Sequence, residues 1–330
     1  MNRVAIVVPN WNGDVFLGSC IESLLAQTAR CTIIVVDNGS TDRSIDILQS
    51  YGNQLVVLRN KKNYGFAGGV NVGIRYAINK GFEYICLLNN DAIADTEWAS
   101  RLITVAEKNM QLGIVTSRIL SSNGKTIDST GDFYTVWGLP FPRGRGEPSK
   151  EKYLASEEVF AGSGGASLYR VSMLKEIGLF DEDFFAYYED VDISFRARIY
   201  GWKVWYSADS IVYHRISATS GRVKGFIVYQ SLKNLPLVYI KNMPIRLFWK
   251  HLPKLIIAHI GLVYGSAKRG NAVPAIKGFG VSILIAPKKL IQRITIQKHR
   301  AISNDDLAKI IQKDPPVDQT GMIRLKRFLG

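Results

Sequence analysis

This chain predicts an α/β fold, a mostly parallel sheet flanked by helices, with a basic amphipathic helical region at its C-terminal end. Short β-branched or apolar runs alternate with helix-like stretches, and each run stops at Asn, Asp, Gly or Pro. That is the pattern of buried parallel strands joined by helical crossovers. A separate observation marks the C-terminal region: Val223 to Arg300 contains 14 Lys and Arg and no Asp or Glu.

The runs Val4 to Val8, Thr32 to Val36, Leu55 to Leu58 and Tyr84 to Leu88 are the expected strands, and Val15 to Gln27, Asp42 to Tyr51 and Gly68 to Asn79 the helices between them. Ligands of such sheets bind beyond the carboxyl ends of the strands. The polar punctuation falls there, as "PNWNG", "DNGSTD", "NYGFAGG" and "NNDA". The Gly- and Pro-rich stretch Trp137 to Lys152 reads as a mobile loop or a β-excursion. The glycines of "VFAGSGGASLYR", Val159 to Arg170, suit either close approach of backbone to a ligand or a simple turn before a helix. From Val191 to Ile199 apolar and polar residues alternate as in a half-buried strand. Against that, Glu189 and Asp190 suit a helix N-terminus, Asp192 and Arg196 an (i, i+4) pair, and Gly201 a C-terminal cap. Both readings stay open.

The 330 residues divide as 1–222, the α/β unit, and 223–330, the basic region. The chain carries 42 Lys and Arg against 28 Asp and Glu, a net charge of +14. Removing the 14 basic residues between Val223 and Arg300 leaves 28 against 28, so the whole excess sits in that segment. An excess of this kind favours anionic partners. No nucleic-acid-binding motif occurs, so nucleic acid is not expected. The longest uncharged runs of the segment, such as Leu255 to Ala267, are shorter than the roughly 18 to 20 residues that cross a bilayer. Helices lying on an anionic leaflet are therefore expected, with a basic subdomain packed on the main unit or used for oligomerisation as the alternative. Cys20, Cys31 and Cys86 lack metal-type spacing and read as reduced thiols. No secretory signal is apparent at the N-terminus, which points to a cytoplasmic protein held peripherally at the inner face of the cell membrane.

In their order and spacing, "IVVPNWNG", "VVDNGSTD", "NYGFAGGVNVGI", "LLNNDA", "AGSGGASLYR", "FFAYYEDVDISFRARIYGW" and "VYHRIS" resemble the family 2 inverting glycosyltransferases of the GT-A fold. Within that family they are most similar to the rhamnosyltransferase-like subgroup. The resemblance covers about Val4 to Thr219. It implies that Pro9, Trp11 and Asn12 border a nucleotide and that Asp37 accepts from the imide N–H of uracil or thymine, a donor that suits an acceptor-only carboxylate. Fixing the "DNGS" turn or capping the next helix is the alternative role for Asp37. It further implies that Asn63, Gly65 and Asn71 lie along the ribose and diphosphate, with Asn90 near the ribose. Asp91 and His214 would ligate Mg²⁺ or Mn²⁺, oxygen-seeking ions suited to phosphate. Asn89 stands where the family's better known motif has an acid, which lowers the negative charge of that site.

By the same resemblance Asp190 is the general base, deprotonating an acceptor hydroxyl as it attacks the anomeric carbon with inversion. Gly164, Gly165, Tyr187, Tyr188 and Glu189 would line the sugar and acceptor pocket, the aromatic rings raising the base's proton affinity by desolvation. Asp192 and Arg196 read as a helix brace. The implied activity is transfer of a sugar, rhamnose from dTDP-rhamnose or another sugar from a UDP donor, to a lipid-linked or polysaccharide acceptor in cell-envelope synthesis. A sugar nucleotidyltransferase is disfavoured because "PNWNG" lacks a Gly-rich basic loop. A catalytically idle nucleotide-sugar-binding scaffold is the reading from another class. A homo-oligomer is left open.

Overall fold

In a computed structural model the chain is described over residues 3–215 and 223–314. The end of the resemblance, residues 216–219, and the end of the basic region, 315–330, lie outside the described residues. Four strands, β1 (Val4–Asn10), β2 (Thr32–Asp37), β3 (Val56–Arg59) and β4 (Tyr84–Leu88), are parallel and ordered β4-β1-β2-β3. Between them run α1 (Asp14–Leu25), α2 (Ser44–Ser50) and α3 (Gly65–Asn79). In α1 the buried residues are Leu17, Cys20, Ile21 and Leu24, one stripe at helical spacing laid on the sheet. In β1 and β4 both faces are covered, so these strands are apolar throughout and show no alternation.

Beyond β4 come β5 (Ala92–Ala94), α4 (Trp98–Lys108), β6 (Leu112–Ser121), β7 (Ile127–Ser129), and the two-stranded pair β8 (Asp132–Tyr134) and β9 (Pro140–Pro142). The Gly- and Pro-rich stretch is thus a β-excursion. The short β10 (Glu157–Glu158) is followed by β11 (Ala166–Arg170), antiparallel between β4 and β6. The glycines of "AGSGG" therefore lead into a strand. Then follow α5 (Val171–Ile177), α6 (Glu189–Ile199) and β12 (Lys203–His214), which runs parallel to β6. The sheet is mostly parallel and flanked by helices, the fold expected from the element order.

The segment left open is helical, and the reason its alternation misled is visible in α6. Val191, Ile193, Phe195, Ala197 and Ile199 are buried, but so are Asp192, Ser194, Arg196 and Arg198 between them. A helix enclosed on all sides has no solvent stripe to reveal its period, and its polar residues are tolerated because they are paired. The enclosure comes from α7 (Phe226–Asn242) and α9 (Ala272–Lys298), with α8 (Ile245–Lys268) and α10 (Asn304–Ile310) completing the C-terminal helices. Among the described residues no helix is long and apolar enough to cross a membrane.

Candidate active site

The carboxyl ends of β1, β2 and β4 lie along one edge of the sheet, and an amide-rich network joins them there. Asn90 Nδ2 donates to Asn10 Oδ1 at 2.7 Å. Asn10 Nδ2 in turn lies 3.2 Å from Ser40 Oγ and 3.4 Å from Asp37 Oδ1. Gly13 lets these groups meet, since a Cβ there would stand 2.1 Å from Asn90 Nδ2. Asp37 is buried and also accepts from the Ser40 N–H at 3.3 Å. Both of its contacts are long, and a carboxylate has about four acceptor positions, so capacity for a further donor remains. Asp42, not Asp37, accepts from Ser44 at the start of α2. Pro9 and Trp11 flank Asn10, and Asn12, with φ of 49°, accepts from the Thr41 N–H.

A second network orders the entry to α3. Asn38 Nδ2 donates to Asn63 Oδ1 at 3.0 Å and to the Gly65 carbonyl at 2.9 Å, while Asn63 Oδ1 also accepts the Gly65 N–H at 2.7 Å. Gly65 has φ of 74°, and a Cβ on it would come within 2.3 Å of the Phe185 carbonyl. Its lack of a side chain therefore serves contact with the loop before α6. Asn71 lies further along α3. It is buried, donates to the Phe180 carbonyl at 2.8 Å and accepts its N–H at 3.1 Å, and ties α3 to that loop.

Backbone register brings the next group together. His214, the last residue of β12, pairs with Ala92 of β5, and the Arg215 N–H donates to the Asp91 carbonyl. His214 Nε2 consequently stands 3.1 Å from Asp91 Oδ1, and its Nδ1 lies 2.8 Å from Asp128 Oδ2. Arg145 pairs with Asp128 at 2.9 Å. Burial opposes the imidazolium, but hydrogen bonds to Asp128 and Asp91 outweigh it and push the His214 pKa up to about 9. Burial also opposes the Asp128 anion, yet His214 and Arg145 hold its pKa below the usual carboxylate range.

These residues fit a divalent cation. Ligands on adjacent vertices of an octahedron with bonds of about 2.1 Å stand roughly 3 Å apart, and the Nε2 to Oδ1 separation is 3.1 Å. Asp128 holds the other ring nitrogen, as carboxylates behind metal-bound histidines do. Among the described residues no three His, Cys, Asp or Glu side chains form a ready-made cage. One or two protein ligands plus substrate phosphates is the usual arrangement for Mg²⁺.

Gly164 and Gly165 link this edge to the acidic cluster. The Asn89 N–H donates to the Gly165 carbonyl at 2.9 Å, and the Gly164 N–H donates to Asp190 Oδ2, also at 2.9 Å. Asp190 Oδ1 accepts from the Val191 N–H at the start of α6. Burial pushes the Asp190 carboxyl up, with those two N–H groups opposing the shift. Glu189 is raised well above the carboxylate range by burial and then by Asp190, and its Oε2 is buried with no hydrogen-bond partner among the described residues. Asp132 at the start of β8 is pushed up to about 8 by burial and by the charge of Asp190. Neither Asp128 nor Asp132 was expected from sequence. Both lie on short strands between the recognised motifs, where nothing distinguishes them from surface acids.

The loop before α6 is strained. Phe185 has φ of 64° and ψ of −64°, with Ala186 N–H donating to the Phe184 carbonyl at 2.8 Å, a γ-turn of the rare kind. Tyr187 and Tyr188 both have φ of 69°. Conformations of this sort cost about 1–3 kcal/mol each and persist where surroundings over-determine them. The surroundings here belong to the C-terminal helices. Lys233 Nζ donates to the carbonyls of Asp183 and Phe184, and Asn234 Nδ2 lies 2.7–2.9 Å from those of Phe184, Ala186 and Tyr187. Phe226 meets the rings of Phe185 and Tyr187 at 6.2 and 6.3 Å.

The remaining acids of the cluster are paired. Arg196, Lys241 and Asn242 donate to Asp192 at 2.8–2.9 Å, so the expected helix brace exists and extends to α7. Lys241 and Lys289 both reach Asp181. Part of the basic segment packs on the main unit: Lys233, Lys241, Lys289 and Arg293 are buried, three of them against residues 181–192.

Comparison with known proteins places this geometry. Residues 5–178 match the family model Glycosyl transferase family 2, a span that ends before α6. The chain is 29% identical over 205 residues to the low-salt glycan biosynthesis hexosyltransferase Agl10 of Haloferax volcanii, covering 60% of this chain and 62% of that protein. The chain thus spans about three fifths of that relative. Among solved structures, S. aureus TarS 1-349 in complex with UDP superposes with a TM-score of 0.54 at 15% identity, covering 90% of each chain. The mannosyltransferase PcManGT from Pyrobaculum calidifontis, in complex with GDP-Man and Mn²⁺, gives 0.54 at 13% identity over 90% of this chain and 85% of that one. These likenesses establish the fold as GT-A.

Proposed function

We propose, from the premise that this chain belongs to glycosyl transferase family 2, that it transfers a sugar from a nucleotide donor to an acceptor hydroxyl with inversion, Asp190 acting as general base. The observation that carries the reading is the bridge through Gly164 and Gly165, which fixes Asp190 to the strand end from which Asn90 and Asp91 project. Asp37 would hold the pyrimidine ring, with Pro9, Trp11, Asn12, Asn63 and Asn90 along the nucleoside. Asp91 and His214 would hold Mg²⁺ or Mn²⁺, which when bound neutralises charge on the departing diphosphate. A carboxylate raised by burial is suited to take the acceptor proton, worth about 10² to 10⁴ in rate. Gly164, Gly165, Glu189 and the rings of Tyr187 and Tyr188 would shape the sugar and acceptor pocket.

The donor is proposed to be a dTDP- or UDP-sugar, dTDP-rhamnose first, and the acceptor a lipid-linked or polysaccharide hydroxyl of envelope synthesis. Melting-temperature shifts across UDP, dTDP and GDP sugars with Mn²⁺ test this, because a ligand that binds only the folded state raises the transition. A shift of several degrees with a UDP- or dTDP-sugar is expected. No shift with any sugar nucleotide removes the reading.

We propose further that residues 1–222 form the catalytic unit and 223–330 a helical region that docks on an anionic membrane surface at the inner face of the cell membrane. Ile256, Ile260, Tyr264, Ile283, Leu284 and Ile291 on α8 and α9 are exposed, with Lys250, Lys268, Arg269 and Lys277 exposed on the same helices. Apolar surface rimmed by cations and free of acid suits anionic lipid. A second copy presenting the same face would set like charges opposite one another. Flotation with liposomes containing anionic lipid at low salt tests it: protein that stays at the bottom refutes the docking.

A further inference from the structure

We propose that Asn234 of α7, with Lys233 beside it, is a positioning residue for the base, holding the strained loop 184–188 in the one conformation that presents Asp190. The inference rests on the functional reading of Asp190 and deepens it. The loop carries three successive demands that ordinary side chains resist, at Phe185, Tyr187 and Tyr188, all with positive φ. The turn brings the carbonyls of Phe184, Ala186 and Tyr187 around one buried side-chain amide. The two N–H groups of the Asn234 amide are shared among the carbonyls of Phe184, Ala186 and Tyr187, and Lys233 adds bonds to Asp183 and Phe184. On the opposite side the Ala67 N–H of α3 takes the Phe185 carbonyl at 3.1 Å. The turn is thus gripped between α3 and α7.

Tyr188 is the last loop residue before α6, and its carbonyl accepts the Asp192 N–H at 3.0 Å, opening that helix. Releasing the turn therefore moves the residues that set the direction of Glu189 and Asp190. It leaves alone the amide network around Asn10, Asp37 and Asn90, none of which α7 touches among the hydrogen bonds described. A change at Asn234 should accordingly fall on turnover and spare donor binding. Misplacement of a reacting group by about 1 Å costs on the order of 10²-fold.

The test compares Asn234→Ala with Tyr239→Phe, which removes the α7 hydrogen bond to the Phe248 carbonyl of α8 and so loosens the helix without removing a bond to the loop. Purified full-length variants are measured for kcat and KM with the active donor and for amide hydrogen exchange over residues 184–191. For Asn234→Ala the expected result is a fall in kcat of about 10²-fold, donor KM within a few-fold of wild type, and faster exchange confined to 184–191. Tyr239→Phe should leave that peptide protected and kcat within a few-fold. Equal losses in the two variants, a parallel loss of donor binding, or unchanged protection of 184–191 in Asn234→Ala overturns the proposal. Should Asn234→Ala not fold, Lys233→Met replaces it, with a kcat loss of about tenfold expected from its two bonds to the loop. A wild-type protein inert with every donor would defeat the functional reading, while the exchange comparison would still decide whether the clamp exists.

Discussion

Asp192 accepts from Arg196, Lys241 and Asn242 with no exposed surface, whereas Asp190, two residues earlier on the same helix, accepts from the backbone N–H groups of Gly164 and Val191. Burial pushes both carboxyls up. For Asp192 the charges of Lys241 and Arg196 reverse the shift and leave it depressed, while for Asp190 the two N–H groups do not overcome burial. The difference shows how one acidic cluster holds both an ion-paired, depressed carboxylate and a raised one. Desolvation is common to both, and the cations Lys241 of α7 and Arg196 of α6, set against Asp192 alone, separate them. Asp181, gripped by Lys241 and Lys289, belongs with Asp192, and Glu189 belongs with Asp190.

The sharpest way to break this contrast is to neutralise each member in turn. Asp190→Asn keeps shape and removes basicity, so turnover should fall by about 10² to 10⁴ while calorimetric donor affinity stays within a few-fold. Turnover of that variant at the wild-type rate would end the assignment. Asp192→Asn should do the reverse. Removing one partner of a buried, hydrogen-bonded pair costs about 3–5 kcal/mol, read from urea unfolding midpoints. A loss below about 1 kcal/mol, the range of exposed pairs, would show that Lys241 and Arg196 are satisfied without it.

How much of this was legible in the sequence follows from the same contrast. Strand ends coincide with Asn, Asp and Gly, so the sheet and the edge that carries Asn90 and Asp91 could be placed from order alone. The brace role of Asp192 could be read from its (i, i+4) spacing to Arg196, which the fold pairs with it. Asn71 could not be told from Asn63, because both are asparagines beside a glycine-rich helix start and only packing turns one toward Phe180. Asn10 and Asn38 stand next to residues that were singled out, yet nothing local marks an amide as a relay. Charge counting found the excess between Val223 and Arg300 but carried no information about pairing. Lys233 meets Asp183 across 50 residues and Lys289 meets Asp181 across 108, separations at which composition says nothing of contact. The clamp of Asn234 was illegible for that reason.

Acidity offers a gentler probe of the two halves. Asp181 and Asp192 have depressed pKa values, so the stability they contribute is present above the unfolded carboxylate value of about 3.9 and is lost as pH falls below it. Glu189 is raised, so the folded state holds its proton longer and stability falls as pH rises above about 4.3, its unfolded value. Glu189→Gln removes that penalty. Relative to wild type the variant should gain stability as pH rises above about 4.3, by at most about 1.4 kcal/mol per pH unit, with the two proteins converging at the acid end. A constant difference between them across this range would show that Glu189 titrates as an ordinary carboxyl.

The smallest effect is expected where the pairing looks similar on paper. Lys288 and Lys289 both reach Asp183, at 2.7 and 2.8 Å, but the side chain of Lys288 is 62% exposed and that of Lys289 is 0% exposed. Water and salt screen the first pair, and holding a long exposed side chain in place consumes part of the attraction. Lys288→Ala should therefore change stability by less than about 1 kcal/mol and lose even that at high salt. Lys289 also serves Asp181 and has no water to replace it, so Lys289→Met should cost several kcal/mol regardless of salt. Measuring both by urea unfolding at low and high salt isolates burial as the variable. Equal, salt-sensitive losses at the two positions would mean that enclosure by α9 contributes nothing, and with it would go the account of why the carboxyls of Asp181 and Asp192 are depressed while that of Asp190 is raised.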